Sequence, residues 1–157
     1  MKERMQKTLS QVNGCPKEIG RKPNGMAKMK SRLKELTSRS NGWGYAKRKQ
    51  KLKEYIRGWV GYYHLANMKR LLLETDEWLR RRIRMCIWKA WKKAKTKVAN
   101  LIRCGINKYQ AYEWGNTRKG YWRIADSPIL KRAIDNNKLR SAGYATLMEA
   151  YLEWYPK

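Results

Sequence analysis

Apolar residues recur with a helical period over most of the chain, and nowhere with the alternation of a strand. The clearest run lies between residues 46 and 65. There Leu52, Tyr55, Ile56, Trp59, Val60 and Tyr63 follow i, i+3, i+4, i+7, i+8 and i+11. That spacing makes one face of an amphipathic helix, and Lys47, Arg48, Lys51 and Lys53 fall largely off it. Gly58 and Gly61 each weaken a helix by about 1 kcal/mol relative to Ala, so they suggest a place where another helix comes close. Upstream, Met29, Leu33 and Leu36 predict a helix over 28–40 that Asn41-Gly42 ends. Downstream, residues 68–73 read as a short helix. Thr75-Asp76-Glu77 then reads as the start of a long helix over about 76–104. Its stripe is Leu79, Ile83, Cys86, Ile87, Ala90, Ala94, Val98 and Leu101. Gly105 suits the position after its last turn, with Ile106 folding back onto the helix.

Shorter elements follow. Asn107 opens a turn or two of helix that closes near Gly115. Ser127-Pro128 supplies the N-cap and first residue of a helix running to about Asp135, and Asn136-Asn137 breaks it. Thr146 and Glu149 form a capping-box pair for a last helix that stops before Pro156. Residues 1–28 contain Gly14, Pro16, Gly20, Pro23 and Gly25 and no sustained apolar period, with room for a short helix near Met1 to Val12. The fold class is therefore all-α: a small bundle of about five to seven helices over 29–157, behind an irregular basic tail at 1–28.

Charge changes this picture. The chain of 157 residues sets 38 Lys and Arg against 12 Asp and Glu, a net charge of +26. Such a surplus disfavours compaction unless a polyanion offsets it. Nucleic acid is the first candidate, through release of counterions from phosphate. An anionic membrane surface is the second. From Arg80 to Lys97 there are nine basic residues and no acid; from Ser141 onward there are two acids and one Lys. On a helical projection Arg81, Arg82, Lys89, Lys92, Lys93 and Arg103 fall opposite the apolar stripe, and Trp88 lies between the two arcs. Arg84, Lys95 and Lys97 intrude on the stripe or its margins. Arg80, Arg81, Arg82, Arg84, Lys89, Lys92 and Lys93 are thus candidates for a phosphate rail, Arg by forked contacts and Lys by point charge. Nothing in the pattern points to reading a particular base sequence.

Other chemistry is thinly supplied. Asp76, Asp126 and Asp135 are dispersed, without the clustered carboxylates that two-metal catalysis needs. His64 is the lone histidine, and Cys15, Cys86 and Cys104 form no CxxC. No Gly-Lys-Ser/Thr phosphate loop occurs. The expectation is a non-enzyme with no catalytic residue, metal or cofactor, reduced and cytoplasmic. Leu71-Leu72-Leu73 is the longest aliphatic run, far below a membrane span, and no apolar stretch follows the basic N-terminus. The rings are eight Trp and ten Tyr with no Phe, so every one carries a polar handle. Such rings suit half-buried positions and base stacking alike. Trp59, Tyr63 and Trp91 fit apolar stripes and read as core. Trp114, Tyr121 and Trp122 stay open between core and nucleic acid.

Four ordered blocks, "LKELTSRSNGW", "LKEYIRGWVGYYHLA", "ETDEWLRRRIRMCIWKAWKK" and "NTRKGYWRIADSPIL", resemble the maturase-specific region, or thumb, of group II intron reverse transcriptases. The likeness covers about residues 29–153. It implies a helical thumb that lies behind the polymerase palm, helps hold template and primer, and binds intron RNA so that the ribozyme folds and splices. The family's fingers, its palm with paired aspartates and its Cys- and His-bearing endonuclease have no counterpart here, so reverse transcription does not carry over. In the last block Gly120 reads as a turn that packs Tyr121 and Trp122 inward. Arg118, Lys119 and Arg123, with Trp122 beside them, then face structured RNA. The leading expectation is an intron-RNA-binding maturase domain. The alternatives are the thumb subunit of a split reverse transcriptase with a separate palm chain, a membrane-active basic helix, and a remnant without function.

Overall fold

The computed structural model describes residues 23–155. Most of the expected tail, with the helix near Met1 to Val12, lies outside the described residues. Among the described residues there are nine helices and no strand. Helix α1 (Pro23–Leu36) buries Met29, Leu33 and Leu36, the three positions the period selects. It starts at 23 instead of 28, because proline is tolerated in a first turn. Helix α2 (Tyr45–Tyr63) buries Leu52, Ile56 and Val60, together with Arg48.

Helix α3 (Lys69–Ala90) corrects the sequence reading at both ends. It runs unbroken through Thr75-Asp76-Glu77. The Thr75 hydroxyl donates to the Leu71 carbonyl one turn back, at 2.8 Å, so it stays within the helix. Asp76 caps a different helix, as described below. At the other end α3 stops at Ala90, and a separate helix α4 (Ala94–Arg103) begins after Trp91, Lys92 and Lys93. Trp91 has φ −80° and ψ 64°, and Lys93 is extended. No Gly or Pro announces this break. A continuous helix would stack Lys89 on Lys93 and Lys93 on Lys97, two like-charge pairs at i,i+4, which are destabilising.

The remaining helices are short: α5 (Lys108–Gly115), α6 (Tyr121–Ala125), α7 (Pro128–Ala133), α8 (Asn136–Ser141) and α9 (Leu147–Leu152). Asn107, Ser127 and Thr146 cap α5, α7 and α9 at the residues the sequence indicates. Helices α6 and α8 are additions to the sequence reading. Asp135, placed near the end of a helix by the sequence, instead caps α8 by accepting from Lys138 N–H at 2.7 Å. Gly105 takes φ +91° after α4, and Ile106 N–H reaches back to the Leu101 carbonyl at 3.0 Å, burying Ile106. Gly143 (φ +87°) repeats the motif after α8, with Tyr144 N–H on the Leu139 carbonyl.

One large core joins these pieces, and a small second cluster of Met85, Cys86 and Ala125 lies beside Tyr121. Helices α1 and α9 pack on α2 and α3, α6 lies along α3, and α4 and α5 form an antiparallel hairpin. Trp88 is the largest fully buried side chain, although the projection put it between the arcs. Trp59, Tyr63 and Trp91 are partly buried against the core. Gly58 has nothing within 4 Å of where a Cβ would sit, and Gly61 meets only the Trp154 ring at 3.6 Å. The close approach occurs instead at Gly115, where a Cβ would lie 2.5 Å from Val98 Cγ2 and 3.3 Å from Val98 N. Gly115→Ala is expected to wedge α5 from α4 at a cost of about 1–3 kcal/mol, read as a lowered denaturant midpoint.

Candidate nucleic-acid interface

Short helices leave many carbonyls at their C-termini without intrahelical partners. This chain answers with cations. Arg82 Nε donates to Thr37 Oγ1 at 2.6 Å, and its NH2 group to the carbonyls of Lys34 and Thr37, at the end of α1. One turn on, the Cys86 thiol donates to the Thr37 carbonyl, and Lys89 Nζ donates to that of Arg39 at 2.6 Å. Arg84 is buried; its Nε donates to the Ile134 carbonyl at 2.8 Å, where α7 ends, and its NH2 to Asn136 Oδ1 at 2.9 Å. Burial pulls the guanidinium pKa of both Arg82 and Arg84 below the ordinary value. Lys49 reaches the Ala142 carbonyl after α8, and Lys138 bonds the carbonyls of Cys104 and Ala133. Cations at helix C-termini also meet the negative end of the dipole.

Arg81 locks α6 to α3. It donates twice to the Trp122 carbonyl, pairs with Asp126 at 3.4 Å, and lies 3.9 Å from the Trp122 ring centroid. Lys131, which shares Asp126 at 2.8 Å, holds that carboxyl below the usual carboxylate range. The neighbouring groove, about 610 Å³, sets Arg80, Arg81, Arg84 and Lys131 against Glu74, Glu77, Asp126 and Asp135. Four cations and four acids cancel, so the groove has no net pull on phosphate. Of the rail residues, then, Arg81, Arg82, Arg84 and Lys89 have donors committed to the protein, and Arg80 lines this balanced groove.

Exposed cations without side-chain partners occur on several elements, among them Lys28, Lys30, Lys53, Lys69 and Arg132, and a dense group of them lies further along. Lys92 and Lys93 are exposed in the α3–α4 connection, and Lys95, Arg103 and Lys108 are exposed on the hairpin. No side chain caps the first N–H groups of α4, which opens among these lysines. Lys97 sits over the Trp88 ring at 4.8 Å, and Lys119 over Trp114 at 4.8 Å. Arg118, Lys119 and Arg123 are exposed around Gly120, whose backbone is extended (φ −62°, ψ 152°) as it starts α6. Tyr121 is partly buried, with Arg39 over its ring at 5.2 Å, while Trp122 stays 38% exposed. Lys92, Lys93, Lys95, Arg103, Lys108, Arg118 and Arg123 make no side-chain hydrogen bond or ion pair with any described residue.

Lys95, Lys97, Arg103 and Lys108 were not among the candidate rail residues of the sequence reading. A projection carried straight through residues 91–93 puts Lys95 and Lys97 on the apolar stripe, whereas the break re-phases α4 around Val98 and Leu101. Among the described residues no group of three or more His, Cys, Asp or Glu is placed to hold a metal ion, and no helix is long and apolar enough to cross a membrane.

Comparison with known families adds one match. Residues 26–105, about half of the chain, match the group II intron maturase-specific domain. No curated protein gives a match to the chain.

Proposed function

The chain belongs to the group II intron maturase-specific domain family, and from that premise we propose that it binds folded intron RNA through phosphate contacts made by the α4–α5 hairpin and the segment around Gly120. Membership carries a maturase-type role in group II intron splicing. The observation that supports this site is the division of cations described above. Arg81, Arg82, Arg84 and Lys89 of α3 hold the fold together, whereas Lys92, Lys93, Lys95, Arg103, Lys108, Arg118 and Arg123 face solvent without partners among the described residues. The protein acts by neutralising phosphate where RNA helices crowd together, and makes or breaks no bond itself. Its aspartates have other work in this reading: Asp76 and Asp135 cap helices, and Asp126 pairs with Arg81 and Lys131.

Affinity for a transcribed group II intron, measured against salt, tests the reading. With about six to ten phosphate contacts, affinity falls roughly 10³- to 10⁵-fold between about 50 and 200 mM salt. A flat response overturns it.

A second reading is a palm-bearing partner chain. It is favoured by an apolar patch where α2 ends and the chain returns. Tyr62 is 76% exposed, Leu65 67% and Trp154 52%. Trp154 stacks on His64 at 4.2 Å, and the Tyr155 hydroxyl donates to the His64 carbonyl. Leu65→Asp is expected to release a co-purified palm chain and to leave RNA affinity unchanged; retention of that chain would count against the patch as its seat.

A further inference from the structure

We propose that Tyr109 and Tyr112 of α5 form a stacking platform for unpaired bases, so that the hairpin grips a single-stranded segment of RNA alongside the phosphate contacts. The inference rests on the RNA-binding reading above and adds a second mode of contact to it. The two rings lie beyond the residues that match the family.

The geometry begins with the buried side of α5. Ala111 and Gly115 are buried against α4, and a Cβ at Gly115 would meet Val98 Cγ2 at 2.5 Å. That close contact sets which face of α5 turns to α4. Its other face carries Tyr109, 79% exposed, and Tyr112, 52% exposed. Residues three apart on a helix are neighbours, about 5–6 Å between Cβ atoms. Neither ring stacks on another aromatic ring among the described residues, and neither hydroxyl has a protein partner there. Two adjacent phenols held outward leave their apolar faces to solvent.

The surroundings select the occupant. Residues 92–119 contain eight Lys and Arg against the single acid Glu113, a local charge of +7. A strand of nucleic acid meets both features at once, its phosphates on the cations and its bases on the rings. That combination is the way single strands are held, and it tolerates any base sequence. A duplex offers phosphates but keeps its bases stacked within, so it cannot use the tyrosines. The platform therefore distinguishes unpaired from paired RNA.

The test compares the full chain with its Tyr109→Ala and Tyr112→Ala variants. The probes are an oligouridine of about 15 nucleotides, long enough for such sites, and an RNA duplex with the same number of phosphates. Each Ala variant is expected to lose roughly 5- to 150-fold in oligouridine affinity, the range measured for single stacking rings. Duplex affinity and the thermal midpoint stay unchanged. Tyr109→Phe and Tyr112→Phe retain oligouridine binding, because the ring and not the hydroxyl is the contact. Ala variants that hold oligouridine as tightly as the parent overturn the platform, as does an equal loss for duplex, or a loss in the Phe variants. If the parent binds the duplex with a steep salt dependence and the Ala variants change nothing, the platform alone has failed. A parent that binds neither probe overturns the RNA reading and the platform together.

Discussion

Replacing Lys92, Lys93 and Lys95 together by Gln is expected to lower intron RNA affinity roughly a hundred- to a thousandfold near about 0.1 M salt, with the thermal midpoint unmoved. Each neutralised phosphate adds about 0.9 to the slope of log affinity against log salt. One decade of salt below molar, each contact is therefore worth close to tenfold. The slope itself falls by roughly two to three. The three side chains are exposed and bond nothing in the described fold, so stability has no reason to change. Arg84→Met gives the opposite signature. It orphans the buried Ile134 carbonyl and removes a charged donor from Asn136, costing about 2–4 kcal/mol. RNA affinity of the folded fraction stays as it was. Filter binding beside thermal unfolding separates the two. Should Arg84→Met weaken RNA binding at constant stability, or the lysine triple lose stability at constant affinity, the division of cations drawn here is incorrect.

Asp76→Ala is expected to cost about 2–5 kcal/mol, a large share of the roughly 5–15 kcal/mol that holds a domain together. Asp76 sits in the middle of α3, 1% exposed. Its two carboxylate oxygens accept from the N–H groups of Leu147 at 2.7 Å and Met148 at 2.9 Å. It thus caps α9 across 71 residues of sequence, while Thr146 Oγ1 takes the Glu149 N–H. Alanine leaves both donors unpaired, that of Leu147 buried and that of Met148 part-buried. Asn keeps one acceptor for two donors, so Asp76→Asn is expected to lose roughly half as much, which separates capping from space-filling. Burial pushes the Asp76 carboxyl above its ordinary value, against the pull of the two N–H donors. A group whose folded pKa is raised stabilises most below its unfolded value, near 3.9, and loses that contribution as pH rises through the folded value. The stability gap between parent and Asp76→Asn should therefore widen as pH falls through this acid window. Subtracting the variant removes the opposing effect of Asp126, whose carboxyl is depressed. A gap that narrows on acidification means that the two N–H donors outweigh burial, and overturns the raised value while leaving the cap in place.

Most of the helices were readable in advance because their signals are local. The period of Leu52, Ile56 and Val60, the Ser127-Pro128 start and the Gly105 stop each need only a few neighbouring residues. The errors came where a residue answers to a distant partner. Thr75-Asp76-Glu77 has the composition of a helix start, yet Asp76 serves a helix 71 residues away. The break at Trp91–Lys93 relieves two like-charge pairs, but α2 and α3 carry such pairs unbroken, and no residue that ordinarily stops a helix marks it. It misplaced the part of the basic face beyond residue 93, since every angle there was projected from the wrong axis. For the candidate site, charge density was legible and commitment was not. Nine cations between Arg80 and Lys97 look alike in a row of letters. Only the carbonyls at the ends of α1 and α7 distinguish Arg82 and Arg84 from Lys92 and Lys93.

Those carbonyl-bound cations bear on how the molecule behaves during isolation. Contacts buried between Arg84 and Ile134, or part-buried as between Arg82 and Thr37, are poorly screened by dissolved ions, whereas solvent-facing lysines are screened readily. A concentrated-salt wash should accordingly strip adventitious nucleic acid from the column-bound protein and leave its helices in register.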